Sequence, residues 1–87
     1  MFMNMNKEEI LKNGKIEVQV KRFGQLKREV FEVKYEKLLD KKYPILFLDK
    51  FIELNELCRI ADEVGLPIKA KNGIAFPKGK TAMDFLV

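Results

Sequence analysis

The chain has 87 residues, with 17 Lys/Arg against 13 Asp/Glu for a formal net charge of +4, and 47% of it is apolar. That length suits one domain over residues 1–87 with one modest core, and no apolar run approaches the ~20 residues of a membrane span. Histidine and serine are absent, Cys58 is the single cysteine and Thr81 the single threonine, which excludes Ser–His and Cys–His nucleophile pairs, His-ligated or four-thiolate zinc and iron–sulfur clusters within one chain.

These absences point away from an enzyme, and they give no reason to expect a metal or cofactor. The lone cysteine suits a reducing compartment, and MFMNMN has neither a basic region nor a continuous apolar one, so the expected location is the cytoplasm, without a membrane. Residues 1–5 read as a flexible N-terminus. The Lys- and Glu-rich composition resembles that of thermophilic proteins.

From Asn6 onward the sequence marks its elements. Asn6 caps a helical turn that runs through Lys12 and stops at Gly14. From Lys15 the period becomes two: Ile16, Val18 and Val20 alternate with Glu17, Gln19 and Lys21, as in a half-buried strand. Phe31, Val33 and Tyr35 continue the alternation after Gly24-Gln25, which suits a two-residue type II′ turn. That turn sets Ile16 opposite Val33, Val18 opposite Phe31 and Val20 opposite Glu29. It also opposes Lys21 to Arg28 and Glu17 to Glu32, like-charge pairs that leave a longer loop open.

Tyr35 to Lys42 reads as a helical turn ended by Tyr43-Pro44. Ile45-Leu46-Phe47-Leu48 is a continuous apolar run, expected of a central strand covered on both faces. The principal helix is expected over 53–64, with Leu54, Leu57, Cys58, Ala61 and Val64 as its apolar stripe, Gly65 as its C-terminal stop and Pro67 beyond. Asn72-Gly73 predicts a type I′ hairpin with arms Pro67–Lys71 and Gly73–Pro77 at a sheet edge. Thr81 to Val87 fits either a short capped helix or a last strand. The sum is a small two-layer α+β domain: a mainly antiparallel sheet of about five strands, made of two β-hairpins and a central strand, with one principal helix on a face.

Gly79-Lys80-Thr81 resembles the end of a phosphate-binding loop. The spacing back to Gly73 is one residue too long for G-x-x-x-x-G-K-[ST], Pro77 removes an amide, and too little chain follows for the required helix. Cys58, on the expected stripe, reads as a packed thiol. Asp49, Glu53 and Glu56 at the helix start have no ligand-loop spacing and read as a solvated acidic face, as do Asp62 and Glu63.

Charge is segregated. Residues 1–43 carry eleven Lys/Arg and seven Asp/Glu, residues 44–66 two and five, and residues 67–87 four and one. The helix is acidic, which argues against a helix read into a major groove, while both hairpins are basic. Three functions follow as candidates. The leading one is a non-enzymatic interaction module or homo-oligomeric subunit, with Phe23, Leu26 and Val30 as the exposed interface. The second is a nucleic-acid binder that contacts phosphates through Lys21, Arg22, Lys27, Arg28, Lys69, Lys71, Lys78 and Lys80 and stacks Phe23 on a base. The third is a small-molecule binder with a closed pocket.

Overall fold

The computed structural model describes residues 6–87; the tail expected over 1–5 lies outside the described residues. The chain runs α1 (Lys7–Asn13), β1 (Lys15–Arg22), β2 (Gln25–Leu38), β3 (Lys41–Phe47), α2 (Leu54–Val64), β4 (Ile68–Ala70), β5 (Gly73–Ala75) and a closing 3-10 turn (Ala82–Phe85). The strands form one sheet in the order β1-β2-β3-β4-β5. Only β3 and β4, joined through α2, run parallel; the other three pairs are antiparallel. Ile10 of α1 and Leu57, Ile60, Ala61 and Val64 of α2 join Ile16, Val18, Val20, Phe31, Leu46 and Ile68 of the sheet in one core. This is the expected α+β architecture.

The helix ends follow the sequence. Asn6 Oδ1 accepts a 2.9 Å hydrogen bond from the Glu9 N–H, and Gly14 closes α1 in the left-handed region, where a side chain would be strained. Gly65 does the same for α2.

The first hairpin turns at Phe23-Gly24 rather than Gly24-Gln25. Both residues have positive φ, 53° and 77°, the sign pattern of a type I′ turn that matches strand twist. Ile16 therefore faces Phe31 and Val18 faces Glu29. The slip from the expected register is two residues, so every side chain keeps its face. It also removes the like-charge oppositions: Lys21 now faces Leu26, Glu17 faces Val30, and Lys15 faces Glu32.

The helical turn expected over Tyr35–Lys42 is instead strand. β2 continues to Leu38, Leu39-Asp40 makes the turn, and β3 starts at Lys41. The long ladder wins because Tyr35 and Tyr43 favour a pleated surface and Pro44 finds a site where it does no harm. Leu46 and Leu48 donate their N–H groups to Pro67 and Lys69, toward β4. The Pro44 nitrogen, two residues before, points to that same side beyond the end of β4, so no ladder bond is lost to it. Val87 runs alongside there, its N–H donating to the Lys42 carbonyl at 2.9 Å.

Two further readings are corrected. The buried side of α2 carries Glu56, Leu57, Ile60, Ala61 and Val64, whereas Leu54 and Cys58 face outward. The second hairpin has Ala70 opposite Gly73, so Lys71-Asn72 form its turn, with neither residue at positive φ. Asn72 is held there by its side chain. Its Oδ1 accepts from the Ile52 N–H at 3.0 Å, and its Nδ2 donates to the Ile52 carbonyl at 2.7 Å. Of the two conformations open to the C-terminal tail, the chain takes the short helix: Asp84 Oδ2 accepts from the Thr81 N–H at 2.7 Å in a capping box. Thr81 thereby stands at the N-cap of the closing 3-10 turn.

Candidate interaction surface

Three segments meet at one end of the molecule: the β1–β2 hairpin tip, the loop from β3 to α2, and the β4–β5 turn. They line an open cleft of ≈ 160 Å³ through Arg22, Phe23, Phe51, Ile52, Glu53 and Asn72. Phe23 is 86% exposed and Phe51 61% exposed, so two aromatic rings stand in water around a shared hollow. Leu54, also exposed, lies beside Gly73 at the adjoining turn. The Asn72–Ile52 pair, both residues of the cleft lining, ties the loop to the turn.

Beneath the tip lies an ionic cluster. Glu29 is buried, and its two oxygens accept from Arg22 Nη1 at 2.9 Å and Lys50 Nζ at 3.0 Å. Burial pushes the Glu29 carboxyl up, but the hydrogen bonds and charges of Lys50 and Arg22 outweigh it and hold the group below the usual glutamate value. The Arg22 guanidinium sits 5.7 Å from the centre of the Phe23 ring, a cation–π distance. Glu29 thus holds Arg22, which reaches the Phe23 ring from below the tip.

The basic residues expected to follow a nucleic-acid backbone are scattered. Arg22 is on Glu29, Arg28 lies 3.9 Å from Glu17, Lys69 3.1 Å from Glu36 and Lys71 4.0 Å from Asp49. The pairing of strands puts Arg22 and Lys27 on the core side of the sheet, and Lys21, Arg28 and Lys69 on the other. The Lys78 backbone N–H is bound to Asp62 on α2, away from the first hairpin, and Lys80 follows it in the turn before Thr81. Lys21, Lys27, Lys78 and Lys80 have no ion pair among the described residues.

The expected interface residues are divided as well. Leu26 and Val30 share the sheet face opposite the core, with Arg28 between them. Phe23 instead stands with Phe51 at the cleft. The carboxylates expected to form a solvated acidic face differ in fate: Glu56 is buried against Arg59 and the Lys21 backbone, while Asp49 and Glu53 are exposed.

Phe51, Asn72, Glu29 and Lys50 are the site residues that sequence reasoning missed. Phe51 carried a visible signal, an aromatic in a loop outside any apolar period. Glu29 had one too, as an acidic residue on the apolar face of a strand. Nothing local marks Asn72, whose partner lies twenty residues away.

Among the described residues, no helix is long and apolar enough to cross a membrane. No protein-family model matches the chain, and no curated protein or solved structure does so.

Proposed function

We propose that this protein is a non-enzymatic interaction module that docks a segment of a protein partner in the Phe23–Phe51 cleft. The observation that carries the reading is the placement of Phe23. A bulky aromatic at φ 53° costs about 1–2 kcal/mol relative to an unstrained conformation, and at 86% exposure almost no burial offsets that cost. Asparagine would fit the turn better. A residue kept against both stability and solubility is best explained by a contact it makes with something else. Phe51, on an unrelated loop, lines the same cleft.

The nucleic-acid reading has less support, because four of its cations already face carboxylates and the remainder form no single track. Self-association through Phe23, Leu26 and Val30 has less support, because Phe23 lines the cleft while Leu26 and Val30 lie on the sheet face opposite the core.

The test is selection of peptides from a displayed random library on the immobilised protein, followed by binding to the Phe51→Ala variant. Enriched peptides that lose about tenfold or more in affinity on that variant support the reading. A selection that yields only binders indifferent to Phe51→Ala and Phe23→Ala contradicts it.

A further inference from the structure

We infer that the cleft recognises an apolar side chain with a carboxylate beside it, the apolar group seated between Phe23 and Phe51 and the carboxylate received by Arg22. The inference rests on the interaction-module reading and names the chemistry of the segment that docks.

Size sets the first limit. A hollow of ≈ 160 Å³ is well below the roughly 300–1,000 Å³ of a drug-sized ligand site, and suits one anchoring side chain. Its walls are two phenylalanine rings and Ile52, so the anchor is aliphatic or aromatic.

Arg22 sets the second. It shares the single carboxylate of Glu29 with Lys50. Arg22 is also incompletely used. Only its Nη1 bonds to Glu29, and its Nε is buried with no acceptor among the described residues. A buried donor without a partner is costly. A carboxylate is the acceptor whose two oxygens match the Nε–Nη2 edge of a guanidinium. Arg22 lines the cleft, with the exposed Phe23 ring 5.7 Å from its guanidinium.

Glu53 sets the third. It lines the same cleft, and its side chain has no hydrogen bond or ion pair among the described residues. Its charge repels a run of acids or phosphates, so the site favours one carboxylate over a polyanion.

The experiment is a titration of the ¹⁵N-labelled protein, followed through backbone amides and the arginine Nε–H signals, with blocked peptides at up to about 10 mM. The first peptide carries phenylalanine followed by aspartate between glycines, with both ends capped. The second has asparagine for aspartate. The third ends in phenylalanine with a free C-terminal carboxylate, which separates a terminal from a side-chain source of the charge. The first or third is expected to shift Phe23, Phe51 and the Arg22 Nε–H together, and the asparagine peptide to bind about tenfold more weakly. Phe51→Ala should weaken the acidic peptide about tenfold. Arg22→Lys should do likewise, since it keeps the charge on Glu29 but lacks the two-nitrogen edge. Equal binding of the aspartate and asparagine peptides would overturn this inference and leave the interaction reading standing. If none of these peptides shifts the cleft residues, the inference falls, and the displayed-library selection decides whether the interaction reading falls with it.

Discussion

The carboxylate of Glu56, in the first turn of α2, accepts a 2.7 Å hydrogen bond from the backbone N–H of Lys21 on β1. Arg59, one turn later, donates from Nη2 both to Glu56 Oε2 at 2.7 Å and to the Gln19 carbonyl at 3.1 Å. Together they fasten α2 to the outer edge of β1, whose backbone groups would otherwise invite another strand. The clamp also fixes the rotation of the helix, turning Ile60 inward and leaving Leu54 and Cys58 outside.

That clamp has a pH dependence of definite sign. The hydrogen bond from Arg59 holds Glu56 below the ordinary value of 4.5, with burial opposing and the Lys21 N–H assisting. Glu29 is also held below it. A carboxyl with a depressed folded pKa contributes stability that is fully present above its unfolded value and lost as pH falls through the folded one. Urea unfolding should therefore show stability declining below about pH 5, with a flatter acid limb in Glu56→Gln. A wild-type curve that stays level to about pH 3 would contradict the assignment.

The edge role of Arg59 is separable from its effect on global stability. Arg59→Ala should speed hydrogen exchange at the Lys21 amide by on the order of tenfold, with little change at core amides such as Ile68. Equal acceleration throughout would mean that only global stability had changed.

The orientation of α2 is tested by truncation. Ile60→Ala should cost about 2–5 kcal/mol, since Ile60 is fully buried. Leu54→Ala and Cys58→Ala should fall within about 0.5 kcal/mol of wild type. The reverse order in chemical denaturation would restore the stripe expected from spacing alone.

Asn72 serves the fold of the cleft. Asn72→Ala leaves the N–H and C=O of buried Ile52 without their side-chain partner and should cost about 2–3 kcal/mol by thermal or urea unfolding. Asn72→Asp keeps the acceptor for the N–H but sets an oxygen against the carbonyl, so it should recover only part of the loss. Full recovery would mean that the Nδ2 bond is immaterial.

Phe23 should show the opposite trade. Phe23→Asn relieves a positive φ at the first turn position, at the expense of the exposed contact with Arg22. It should raise stability by about 0.5–1 kcal/mol while weakening any peptide that docks in the cleft. A destabilised variant would mean that Phe23 is held for the fold itself.

The sequence was most legible where structure is set by near neighbours. Asn6 and Gly14 bracket α1, Gly65 ends α2, and Ile16, Val18 and Val20 show their buried face by alternation alone. Misreadings arose where two local solutions were equally good. Gly24 can be the first or second residue of a two-residue turn, and the choice moves the register by two without changing a face. The stripes 54-57-58-61-64 and 57-60-61-64 both satisfy helical spacing, and tertiary contacts, among them those of Glu56 and Arg59 with β1, select between them. Tyr35 to Lys42 lacks a helix cap and joins the ladder once β3 is present to pair with it. Of the cleft, Phe23 and Arg22 could be read because they occupy a hairpin tip. Phe51, Glu29, Lys50 and Asn72 reach the site only through tertiary packing.

The most direct measurement is the chemical-shift map of the labelled protein with a peptide selected from the displayed library. The account predicts that the largest shifts fall on Phe23, Phe51, Ile52 and Asn72, and that they disappear in Phe51→Ala. Shifts centred on Leu26, Val30 and Phe47, across the opposite face of the sheet, would contradict it.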